Sequence, residues 1–281
     1  MISNYELRQK AHKALKGNLP IILVVALIAI LPSLLSSTIV VLTESDLNAY
    51  TMTLAMNPES VVYTGTVEDL MAEMSAFAQE KGWISTLTSL VANIIGPVLQ
   101  LGLMAAILNM LRGTAPEISM AFSRLGSFVK SVLLSLLVGL KVLLWALPGM
   151  AAMILGSVIT LTTGESAAML LRLAGTIAMA VMMVRATYSY AMSTLILADE
   201  PKEKVLACVR RSKAIMAGKR GQLFSLEMTY IVWNMLASMI ANVLGGVIGS
   251  TISMALQLVV MAYMTTARCA FFDAHRVQDT E

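Results

Sequence analysis

Charge is scarce in this chain. Lys, Arg, Asp and Glu make up 13% of its 281 residues and hydrophobic types 57%, whereas a soluble globular domain carries about 25% charged side chains. So little polar surface cannot wrap a particle of this size in water, and lipid must cover much of it. Cysteine is nearly absent: Cys208 and Cys269 are the only two, too few for a disulfide framework, and both are expected as free thiols. The two histidines, His12 and His275, form no ligand pair. No His-Glu-x-x-His, no Gly-x-Ser-x-Gly and no phosphate-cradling glycine loop occurs, so no catalytic residue, metal or cofactor is expected. The net charge of +3 is small and its basic residues border the apolar runs, which gives no nucleic-acid footprint.

Long apolar runs fill the space that charge leaves. A hydrocarbon core of about 30 Å needs roughly 20 helical residues. Leu19–Leu42, Trp83–Leu111, Ser131–Ile159 and Ala167–Tyr190 each meet that length. The first three contain Pro32, Gly96-Pro97 and Pro148-Gly149, where kinks are expected. Leu223–Phe272 is a fifth run, of 50 residues; as one helix it would reach about 75 Å, so it must fold back. Gly245-Gly246 near its midpoint marks the turn. The first run is too long for the hydrophobic part of a cleavable signal and reads as a retained span. The expectation is an all-α polytopic bundle of six spans forming a single transmembrane domain over 1–281.

Lys and Arg set the orientation. Basic residues gather before the first span, between the second and third, between the fourth and fifth, and in the tail. The intervening segments have almost none: Thr43–Gly82 holds Lys81 among seven acids, and the two short turns hold no base. The positive-inside rule then places both termini and the basic segments in the cytoplasm, in a plasma membrane. Six spans satisfy the rule without exception; five or seven would not.

Most basic segments carry an amphipathic pattern closing in glycine just before a span. Residues 1–18 form a cytoplasmic helix capped by Ser3 or Asn4, with Leu7, Ala11 and Leu15 on one face and Gly17 at its end. Pro116 opens a shorter pattern through Ile118, Phe122 and Leu125 to Gly126, and 199–222 hold a basic helix ending at Gly218. Three units of surface helix plus transmembrane hairpin result. Lys204, Arg210, Arg211 and Lys213 of the last surface helix suit the anionic inner-leaflet lipids of the bilayer. The exterior segment 43–82 reads as irregular through Asn57-Pro58 and helical from Thr66. It serves as a connector packed on the bundle or, alternatively, as a lid.

Ionisable residues inside apolar spans need a partner or water. Lys141 lies near the middle of the third span, Arg172 near the outer end of the fourth, and Arg185 and Glu227 at similar depth in the fourth and fifth. The last two are expected to pair. Glu227, Tyr230, Asn234, Ser238 and Asn242 share one helical face, Asn93 and Gln100 flank the Gly96-Pro97 kink, and Ser253 and Gln257 add a polar face to the sixth span. Such faces are expected to turn inward, as helix glue or as a solute site among Lys141, Arg185, Glu227 and Asn234. The 22 methionines scatter over many faces and suit packing better than copper binding.

Several stretches carry a family resemblance. They are Glu6-Leu7-Arg8 through Ala14-Leu15-Lys16-Gly17-Asn18, Leu111-Arg112-Gly113, Leu147-Pro148-Gly149, Tyr188-Ser189-Tyr190-Ala191-Met192, Ile196-Leu197-Ala198-Asp199-Glu200-Pro201, Arg211-Ser212, Met216-Ala217-Gly218 and Ala270-Phe271-Phe272-Asp273. Together they resemble an uncharacterised bacterial integral-membrane family, domain of unknown function 975. The exterior segment looks like an insertion relative to it, and Leu19-Pro20 replaces the aromatic residue usual after Lys-Gly-Asn. The resemblance implies a membrane helical bundle and no reaction. Two functions stay open. One is a non-enzymatic membrane-organising or lipid- and partner-binding protein; the other is a small-solute transporter or channel-like protein.

Overall fold

The computed structural model describes residues 3–56, 67–163 and 165–276, and every regular element among them is helical. The elements are α1 (Asn4–Leu15), α2 (Leu19–Met56), α3 (Val67–Leu111), α4 (Phe128–Thr163), α5 (Glu165–Tyr190), α6 (Ser193–Asp199), α7 (Val205–Ile215), α8 (Arg220–Leu244) and α9 (Gly246–Arg276). Two short 3-10 turns, Ile118–Phe122 and Leu125–Ser127, precede α4. Six of the described helices are long and apolar enough to cross a membrane. The molecule is a multi-pass membrane protein.

Three antiparallel hairpins, α2–α3, α4–α5 and α8–α9, make up the spans. Each follows a short surface element: α1, the 3-10 turns and α7. Alpha1 begins with a reciprocal cap, in which the Glu6 amide donates to Ser3 Oγ (3.3 Å) and the Ser3 amide to Glu6 Oε2 (2.8 Å). It ends at Gly17 with φ +90, a left-handed turn that glycine adopts at no steric cost. Gly245 (φ +63) makes the α8–α9 turn, the fold-back required by the 50-residue run.

Packing is dense at the end of the bundle where the basic segments gather, called here the basic end. Its core joins Leu7 and Leu15 of α1, Leu101 and Ile107 of α3, Leu195 and Ile196 of α6, and Phe271 and Phe272 of α9, all fully buried. Alpha3 is the central stave: 56% of its span is buried, against 11–28% for the other five. Along the spans, apolar side chains such as Leu136, Leu170, Val181 and Met235 face outward. That distribution suits a surface solvated by hydrocarbon.

Several expectations change here. Alpha2 continues to Met56 and α3 begins at Val67, so segment 43–82 is helical on both sides of residues 57–66, where an irregular first half is expected; residues 57–66, including Pro58 and Thr66, lie outside the described residues. Pro32, Pro97 and Pro148 all sit inside continuous helices. The Pro116 segment is 3-10 because it docks against α3, with the Ala121 carbonyl so close to Gly102 that a Cβ there would overlap it. Ile118, Phe122 and Leu125 remain half exposed on its other side. Close helix approach also appears between α4 and α5, where a Cβ on Gly149 would stand 2.5 Å from Met179 Cβ.

Candidate functional site

The continuation of α5 is interrupted by a turn at Ala191-Met192, after which α6 begins. A broken helix leaves amide groups unpaired. Here Ser212 of α7, fully buried, accepts from the Met192 amide (3.1 Å) and donates to the Ser189 carbonyl (3.1 Å). Lys130 caps the far end of the same region, donating to the carbonyls of Pro201 (2.8 Å) and Lys202 (3.1 Å). The break is therefore fixed from two sides, and it aims Asp199 and Glu200 at the basic end.

Those two carboxylates sit in one continuous charged chain. Lys10 meets Asp273 (3.0 Å), Asp273 meets Arg112 (3.3 Å), and Arg112 meets Asp199 (2.7 Å). Arg276 bridges Asp199 and Glu200 (3.0 Å to the latter), and Glu200 meets Arg211 (2.7 Å). Four cations and three acids thus tie α1, α3, α6, α7 and α9 together. The hydrogen bond from Arg211 holds the Glu200 carboxyl below its usual range, and the bond to Asp199 raises the Arg112 guanidinium. Of these residues, Arg112, Asp199, Glu200, Arg211 and Asp273 lie in the very stretches that carry the family resemblance. Sequence reading gave Arg211 a membrane-surface role and the other four no pairing; no local pattern brings these separated stretches together.

Glu227, buried on α8, meets Arg268 of α9 (2.7 Å) and accepts from the Tyr188 hydroxyl (2.9 Å). The expected Arg185–Glu227 pair does not form. Arg268 is the partner because α8 and α9 pack as the two arms of one hairpin, whereas Arg185 is exposed on α5. Nearby, Arg8 donates to Thr229 Oγ1 (2.6 Å) and Asn4 to the Gln222 carbonyl (3.2 Å), seating α1 on α8.

The remaining candidates do not converge. Lys141 is half-buried on α4 with no carboxylate beside it among the described residues, and Asn234 is half-buried and bonded to the Tyr230 carbonyl of its own helix (3.1 Å). The polar faces do not all turn inward: Asn93, Gln100 and Ser238 are exposed. Asn93 donates to the Ser89 carbonyl (2.8 Å) and Gln257 to Ser253 Oγ (3.0 Å), so the helix itself satisfies them. On α7, Lys204, Arg210 and Lys213 are exposed, while Arg211 is drawn into the charged chain. Both cysteines are buried and free, and burial pushes the Cys208 thiol upward, which keeps it protonated.

Two cavities lie each between a pair of helices. One of about 590 Å³ lies between α2 and α3, walled by Leu31, Pro32, Leu35, Leu87 and Val91, with Phe122 at one end. Another, of about 440 Å³, lies between α5 and α8 beside Arg185 and Arg220. Both are apolar slots opening sideways through exposed side chains.

The chain belongs to the family described as protein of unknown function (DUF975), whose model matches residues 1–278. No curated protein and no solved structure matches it.

Proposed function

We propose that this is a non-enzymatic membrane protein that organises lipid, or a partner within lipid, around a rigid basic-end frame. One observation carries the reading. The carboxylates Asp199 and Glu227 are matched by protein partners, while the cavities between α2 and α3 and between α5 and α8 are apolar slots facing outward, where acyl chains lie. A solute path needs a polar cavity within the bundle, and Lys141, Arg185, Glu227 and Asn234 line no common one. The distribution of Lys and Arg supports a plasma-membrane orientation with the basic end in the cytoplasm, where the exposed Lys204, Arg210 and Lys213 would meet anionic inner-leaflet lipids.

Native mass spectrometry of the detergent-purified protein, with osmotic swelling of vesicles containing it, tests the proposal. Lipid adducts retained on the protein and no swelling response to small solutes are expected. A bound solute without lipid, together with solute-dependent swelling, would replace this reading with transport. Reporter fusions within 57–66 and after residue 202 should report outside and inside respectively, and a reversed pair would overturn the orientation.

A further inference from the structure

We infer that the slot between α5 and α8 is a binding site for one anionic phospholipid, its phosphate held by Arg185 and Arg220 and its acyl chain laid along α5. The inference deepens the lipid-organising reading and rests on it.

Val181, Val184 and Tyr188 of α5 face Gly221 and Phe224 of α8, forming apolar walls that run about 12 Å along the helix from Ala180 to Tyr188. Tyr188 and Phe224 meet edge to face, with ring centroids 5.6 Å apart. The Tyr188 hydroxyl is fixed on Glu227, so this wall is held rigid. Arg185 of α5 and Arg220 of α8 complete the lining, presenting their aliphatic stems to it. Arg220 is the first residue of α8, and Arg185 comes five residues before α5 ends at Tyr190. Arg220 stands at the border of the apolar region, the level of lipid phosphates, and Arg185 reaches toward that level along its stem.

The charges at this rim are not cancelled within the protein. Glu227, the nearest acid of the wall, is matched by Arg268. Neither Arg185 nor Arg220 has a carboxylate partner among the described residues. Arg220 Nε is also buried with no acceptor in the protein, and an unsatisfied buried N–H of a cation is costly. A phosphate oxygen satisfies it while the chain below fills the apolar slot. A free phosphate would gain nothing from those walls. A zwitterionic lipid brings its own cation against two arginines, so a headgroup with net negative charge is preferred.

Gly221 provides an independent handle. A Cβ there meets no atom within 4 Å, so a side chain grows into the slot and not into the protein. G221F should fill the acyl position, leave both arginines in place and keep the fold, since Phe is a better helix former than Gly.

The test is titration of delipidated protein by native mass spectrometry with dioleoyl phosphatidylglycerol, dioleoyl phosphatidylcholine and glycerol 3-phosphate. The first phosphatidylglycerol is expected to bind about tenfold tighter than phosphatidylcholine, and glycerol 3-phosphate not to compete. R185Q/R220Q should erase the preference, and G221F should remove the first bound lipid of either kind with no change in melting temperature. A preference that survives R185Q/R220Q, or a first lipid indifferent to G221F, overturns this site while leaving the lipid-organising reading intact. Competition by glycerol 3-phosphate would make it an anion site and overturn the lipid assignment. Wild-type protein that takes up no lipid at all overturns both.

Discussion

Glu227 and Arg185 lie at similar depth on neighbouring helices, yet they carry very different loads. Glu227 is buried against Arg268, so removing the arginine strands a carboxylate away from water. R268Q is expected to cost about 3–5 kcal/mol, the usual consequence of leaving one member of a buried pair uncompensated. R185Q should stay within about 0.5 kcal/mol, because the exposed arginine holds no protein partner. Melting curves in detergent compare the two directly; equal losses would mean that Arg185 shares the Glu227 charge after all. Sequence spacing placed both residues toward corresponding ends of their spans but could not show which faces they occupy. Depth follows from counting residues along one helix, whereas pairing depends on how α5, α8 and α9 rotate against one another.

Among the elements, the spans were the legible part. Their length is dictated by hydrocarbon thickness, a one-dimensional requirement that a single sequence records, and all six expected spans are present. What the pattern could not show was set by distant residues. Alpha6 separates from α5 because Ser212, 20 residues further on, satisfies the Met192 amide. The Ile118–Phe122 turn is 3-10 because it must fit against Gly102. The clasp joining α6 to α7 is testable by acid. Arg211 depresses the Glu200 carboxyl, so the clasp contributes fully above the ordinary value of 4.5 and is lost as pH falls through the depressed one. Wild type should therefore melt above E200Q at neutral pH, and the two should converge as pH falls below the depressed value. A gap that persists in acid would mean that Glu200 acts through packing and not through its charge.

For the whole molecule, the charged chain from Lys10 to Arg211 does what a continuous hydrophobic core does in a soluble domain. Lipid solvates apolar faces as well as a neighbouring helix does, so apolar contact alone holds hairpins together weakly. Arg112 stands in the middle of the chain, on both Asp199 and Asp273. R112A is expected to lose on the order of 1–2 kcal/mol, against less than about 0.5 for K10A, whose pair is more exposed. Limited proteolysis should find α1 loosened in R112A; unchanged cleavage would show that α1 is held by Leu7 and Leu15 alone. The network escaped sequence reading because its members are spread from residue 10 to residue 276, and no periodicity links them.

That spread has a consequence for biosynthesis. Each hairpin can enter the bilayer by itself as it leaves the ribosome, but Lys10 finds Asp273 only after 263 further positions have been translated. The first surface helix must wait, its apolar stripe resting on the membrane, until the last span arrives. Assembly therefore ends where synthesis began, and a prematurely stopped chain would leave its first helix undocked for quality control to recognise.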